Sequence, residues 1–164
     1  MDDDGQPGAG DPTGDVPDGA WPRILISNRQ DRPVDEEGLR ELARDTLRGE
    51  GIERAELSVS FVDRAEMAGL HERFMDEPGP TDVMSFPLDD ADEATAGEGL
   101  RRLLGDVVVA PAEAARNNPD DPDAELRLLL VHGTLHLLGY DHQDDGARAR
   151  MWERQERYSG VRAP

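Results

Sequence analysis

Residues Leu126–His142 read LRLLLVHGTLHLLGYDH, and the rest of the chain arranges itself around them. Leu126, Leu129, Leu130 and Val131 lead into three of the chain's four histidines. Side chains four apart share one face of a helix, so His132 and His136 can aim both rings at one atom. Gly139 accepts the positive φ that ends a helix. His142 then returns from beyond the turn with a third imidazole. Three neutral nitrogen ligands and no fourth protein ligand describe a zinc site with a position open for water, one ion per chain. The unbroken apolar run Leu128–Val131 makes this helix the expected buried centre of the domain, a rigid support for the metal.

Working outward, the flanking segments mix helices with short strands. Ile24–Ser27 is β-branched and apolar, a first strand. Leu39, Leu42, Ala43, Thr46 and Leu47 recur at helical spacing over 35–49, with Gly49 closing the helix. Leu57, Val59 and Phe61 alternate with Ser58, Ser60 and Val62, a second strand. Asp63 caps a helix over 64–75. Val83–Pro87 and Leu103–Val109 are the third and fourth strands. Pro111 opens a helix that fails near Asn117-Asn118-Pro119. Asp123 is expected to cap the metal helix, and a last helix runs from about Asp144 to Tyr158. The expected fold is a single α+β domain, a small four-stranded sheet packed against helices.

Composition sets bounds on function. The chain has 164 residues, enough for one domain with a real core. Residues 1–20 hold six Asp, five Gly and three Pro and almost nothing apolar. Such a segment cannot bury enough surface to offset the entropy of ordering, and is read as a disordered acidic tail before a folded domain over 21–164. Three aspartates after Met1 are unlike a secretory leader, and no apolar stretch approaches the ~20 residues of a membrane span. A cytoplasmic protein without membrane contact is expected. The absence of cysteine excludes disulfides and thiolate ligands. All 18 basic residues are arginine. The net charge is −19, of which six negative charges lie in the first 20 residues, leaving −13 over the remainder. That balance opposes nucleic-acid binding unless a local basic patch or a partner holds the substrate. Arg150, Arg154 and Arg157 at i, i+4 and i+7 are one such candidate RNA-binding face; the alternative is a solvated face with internal ion pairs such as Glu153–Arg157.

The spacing of His132, His136, Gly139 and His142 is that of the metzincin zinc proteases, H-E-x-x-H-x-x-G-x-x-H. The general base of those enzymes is the Glu after the first histidine, and here that position is Gly133. The ligand set is kept and the peptidase base is lost. The run HGTLHLLGYDH resembles more closely the signature of the YbeY family of bacterial metal-dependent endoribonucleases. Pro80-Thr81-Asp82-Val83-Met84-Ser85-Phe86-Pro87 resembles that family's P-T-D/N-V-L-S-F-P strand, and Leu104-Gly105-Asp106-Val107-Val108-Val109 its L-G-D-I-x-I strand. The three motifs occur in the family's order over roughly Ile24–Tyr158. One departure stands at Phe74-Met75, where the family usually carries a tyrosine–arginine pair.

The resemblance implies cleavage of single-stranded RNA rather than DNA, in 16S rRNA 3′-end maturation and ribosome quality control, with the small ribosomal subunit as partner. Zinc would lower the pKa of water to ~7 and neutralise phosphate oxygen, which suits phosphodiester hydrolysis. The general base stays open among Asp141, Asp82 and Asp106. Asp141 precedes a ligand and could orient a histidine or simply form a turn. Asp82 and Asp106 lie on the strand motifs with Ser85 and could face the site or serve the backbone. Thr134 and Leu135 read as packing, Tyr140 as a core aromatic, and His71 as a surface residue. Two other classes remain: a zinc peptidase, opposed by Gly133, and a ribosome-docking assembly factor with a structural metal.

Overall fold

The computed structural model describes residues 21–75, 81–88, 102–141 and 143–161. The elements run β1 (Arg23–Arg29), α1 (Glu36–Gly49), β2 (Ala55–Val62), α2 (Arg64–Met75), β3 (Val83–Pro87), β4 (Arg102–Val109), α3 (Pro111–Asn117), α4 (Pro122–Leu137) and α5 (Asp145–Ser159). The strands form one sheet in the order β1-β2-β4-β3. β1, β2 and β4 are parallel, and β3 returns antiparallel along β4. This is the expected four-stranded α+β fold. The acidic segment 1–20 lies outside the described residues.

Alternation in the strands sorts the helices onto two faces. Ile24, Leu57, Val59, Phe61, Val107 and Val109 point to one face, where they meet Leu39, Ala43 and Leu47 of α1 and Leu126, Leu129 and Leu130 of α4. Val62, Met84 and Val108 point to the other and are covered by Met67 of α2. α5 packs on α4 through Val131, Leu135 and Met151. A carboxylate joins α1 to the far end of the chain. Glu50 accepts hydrogen bonds from Tyr140 (2.7 Å) and Tyr158, and Arg154 lies 3.7 Å away. Burial and the Glu50 charge raise the pKa of both phenols, so each keeps its donor proton at neutral pH.

The caps follow local chemistry. Asp35 and Asp144 accept from the third residue of α1 and α5, and the Asp63 carboxylate accepts from Glu66 N at the start of α2. At α4 the expectation needs correction: the cap is Asp121, whose side chain accepts from Ala124 N, and Asp123 sits inside the first turn. Pro122 decides this, because proline at the first helical position places the cap just before itself.

Gly133 explains a departure that the sequence left bare. A Cβ built on it would lie 2.7 Å from Val107 Cγ1, 3.1 Å from Val83 Cγ2 and 3.2 Å from Ser85 Oγ. Ser85 Oγ also donates to Gly133 O at 2.9 Å. The backbone of α4 is thus pressed onto β3 and β4 at this residue, leaving no room for a glutamate.

Gly133→Ala should cost stability. Overpacking of a tight site costs about 1–3 kcal/mol, against about 1 kcal/mol returned by helix propensity. A net loss of about 1 kcal/mol, the middle of that difference, is expected from urea unfolding. A variant as stable as the parent would show that Val107 moves aside freely.

Candidate functional site

α4 presents His132 and His136 on one face, as their spacing requires. Their ring centroids are 4.7 Å apart and the rings are inclined at 72°. The helix then ends in a Schellman motif: Tyr140 N donates to Leu135 O, Gly139 N donates to His136 O, and Gly139 has φ +103°. The turn that the glycine was expected to make is present. His142 lies outside the described residues, and among the described residues no group of three metal-binding side chains occurs.

A histidine that binds metal usually donates its other ring nitrogen to a fixed acceptor. His132 has that arrangement. Its Nδ1 makes a short hydrogen bond to Oε1 of Gln155, a buried residue of α5. An amide oxygen can only accept, so Nδ1 carries a proton, and in the neutral ring the lone pair then lies on Nε2. Gln155 was missed by sequence reasoning. The signal was there: Met151, Gln155 and Ser159 occupy the buried stripe of α5, and an amide on such a stripe needs a partner.

The two histidines border a cleft of 370 Å³ together with His71, Met75, Thr81 and Ser85. His71, expected as a surface residue, therefore reaches the site from α2. Met75 stands at the edge of the same cleft, in the position where an arginine was expected from the family pattern. Phe74 turns instead to the Phe86 ring, 5.2 Å away edge to face.

The three carboxylates separate. Asp82 lines a second pocket together with His132 and Gln155, and its Oδ2 accepts from Asn117 Nδ2 at 3.0 Å. Asp141 accepts from Gln143 N at 3.2 Å, a turn contact, and borders a different cleft with Arg102 and Arg150. Asp106 is not brought to the histidines. Strand alternation sends it to the opposite face of the sheet, into a cleft with Arg29, Ser60, Phe74 and Phe86. Partial burial in that cleft raises the pKa of its carboxyl, though the residue stays exposed.

The arginine stripe of α5 is largely occupied. Arg154 pairs with Glu50 at 3.7 Å and Arg157 with Glu153 at 3.3 Å. Arg150 is exposed and has no ion-pair partner among the described residues. Tyr140 serves the Glu50 network, and the buried Thr134 donates to Leu130 O at 2.8 Å. No helix among the described residues is long and apolar enough to cross a membrane.

Comparison with known proteins agrees with the histidine signature. The family model described as "Endoribonuclease YbeY" matches residues 25–160. The chain belongs to the YbeY family. It is 46% identical over 138 residues to the endoribonuclease YbeY of Micrococcus luteus, covering 82% of this chain and 88% of that protein. It is 48% identical over 141 residues to that of Acidothermus cellulolyticus, covering 80% and 86%. The fold is also that of a solution structure, TM1509 of Thermotoga maritima, with a TM-score of 0.57 and 30% identity over 83% of this chain and 86% of that one.

Asp106→Asn tests the second face. A carboxyl with a raised folded pKa favours the fold while protonated, and that contribution is lost as pH rises through the raised value. The asparagine variant should therefore melt no lower than the parent at pH 7, and the two should converge at pH 3. A variant that melts lower at pH 7 would show that the carboxylate is an anchoring charge instead.

Proposed function

We propose that this chain is a zinc-dependent endoribonuclease that cuts single-stranded RNA, acting in the cytoplasm in 16S rRNA 3′-end maturation and ribosome quality control. Family membership supports the RNA substrate. The observation that carries the metal is the pairing of His132 with Gln155. A buried amide oxygen holds the ring through Nδ1, which directs the metal-binding role to Nε2, on the ring that stands beside His136. That is how an imidazole is prepared for a cation, and the neutral nitrogen donors suit zinc.

His132, His136 and His142 would hold the ion, which supplies a +2 charge that acidifies water and neutralises phosphate oxygen. The chain's own residues set the stage for it. Ser85 and the Gly133 contact fix α4 against β3, and so fix both rings relative to the cleft wall. Asp82 is the carboxylate that shares a pocket with His132, and its Oδ2 is steadied by Asn117. Proton acceptance from the attacking hydroxyl is assigned to it. Met75 brings no charge to the substrate, whereas Arg148 lines the same pocket as Asp82.

The peptidase alternative loses ground for a steric reason. Its glutamate would stand at Gly133, where even a Cβ meets Val107 at 2.7 Å.

Two measurements test the proposal. His136→Ala, or chelation of the wild type, should abolish cleavage of single-stranded RNA, while casein stays uncut by either protein. Undiminished RNA cleavage by His136→Ala would end the reading. Gln155→Ala, with folding checked by circular dichroism, should weaken zinc about 10- to 100-fold against a chromophoric chelator. Unchanged affinity would show that the amide orients nothing.

A further inference from the structure

The pocket that Asp82 and His132 share has walls unlike those of a metal site. It has a volume of 230 Å³, and Leu128 and Leu129 of α4 and Met151 and Trp152 of α5 give it an apolar lining. Arg148 lines it too. His132 and Val83 border both this pocket and the histidine cleft, so the two are neighbours.

Trp152 is the informative residue. On α5, Arg148, Trp152 and Gln155 fall at i, i+4 and i+7, so the face that holds His132 through Gln155 also carries the indole. Trp152 is half-buried and belongs to none of the three hydrophobic clusters among the described residues. A tryptophan that merely joined the two helices would fill this space rather than line it.

The occupant follows from size and chemistry. The volume falls below the ~300 Å³ at which drug-sized sites begin, so it suits one flat ring system and not a run of nucleotides. The apolar lining excludes a phosphate, which needs converging donors. Proteins that grip single strands unstack the bases and lay them on aromatic side chains. We propose that this pocket receives the nucleobase of the nucleotide next to the scissile phosphate, with Trp152 as its stacking surface and Arg148 holding the adjoining phosphate. Arg148 is available for that contact. Its ion pair with Asp145 spans 3.8 Å between exposed side chains, and such a pair is readily exchanged. The inference rests on the endoribonuclease reading. It adds that sequence preference is set between α4 and α5, at a residue outside the metal and proton-transfer machinery.

The test uses the zinc-loaded full chain with Trp21→Phe, which leaves Trp152 as its one tryptophan. Excited at 295 nm, it is titrated with each of the four nucleoside 5′-monophosphates and with ribose 5-phosphate. Saturable quenching by nucleotides and none by ribose 5-phosphate is expected. Separately, Trp152→Ala should raise KM for single-stranded RNA about tenfold, the scale of one base–aromatic stack, with kcat nearly unchanged. Trp152→Phe should stay near the wild type, which guards against a folding defect in the alanine variant. Quenching equal for ribose 5-phosphate and nucleotides, no quenching at all, or an unchanged KM in a folded Trp152→Ala would overturn the proposal. Should the wild type cut no RNA, the nuclease reading fails, while the quenching titration, which needs no turnover, still decides the pocket.

Discussion

The contact of one glycine with two strands sets the geometry of everything that follows. Gly133 lets the α4 backbone rest on Val107 and Val83, and the Ser85 hydroxyl bonds its carbonyl. A helix that sits this close to a sheet has little freedom to rotate or slide, because the interior is close-packed. His132 precedes the contact by one residue and His136 follows it by three. Their rings are therefore placed by backbone packing, before any interaction of their own. The same contact bars the acid that a peptidase would need here. One steric fact thus accounts for both the fixed placement of the two histidines and the missing glutamate.

α5 completes the arrangement from the other side. Met151 anchors it on Val131 and Leu135, and one turn further Gln155 reaches the ring of His132. The helix is otherwise polar, and part of its hold on the domain comes through Glu50, which gathers Tyr140, Tyr158 and Arg154. Tyr140 belongs to the turn that ends α4, so the loop leading to His142 is tied to the end of α1. A half-buried carboxylate with two phenol donors is well satisfied, and its bonds are stronger for being charge-assisted. Through Glu50 the ends of α1, α4 and α5 are thereby tied to one another.

Much of this was legible in the residues. Strand β3 falls at Val83–Pro87 as expected, and the Gly139 turn has the φ its position demands. These are local features, decided by periodicity and backbone sterics. What was hidden depends on tertiary contact. Asp123 looked like a cap because the rule for capping residues does not by itself weigh Pro122 against its neighbours. Gln155 shares a helix face with Met151, but which groups Gln155 and His71 meet depends on how α5 and α2 dock. Asp106 was drawn toward the site by its motif, yet its place in the strand alternation sends it to the opposite face from Val107 and Gly133. Parity along a strand was the better guide there, and the Gly105 irregularity made it hard to count.

The charge of the chain bears on how it would meet a polyanion. Two of the three arginines on the α5 stripe are spent on Glu50 and Glu153, so that face is not a broad cationic track. Repulsion from a body of net charge −19 would slow the approach of free RNA and weaken nonspecific binding. Binding would then rely on a few short-range contacts, an aromatic wall, a metal charge and a single guanidinium, of which the aromatic one is insensitive to salt. An enzyme built this way discriminates against exposed duplex, whose bases are stacked away, and favours strands whose bases are already splayed. Low background affinity and reliance on base contacts would thus be two consequences of one acidic surface.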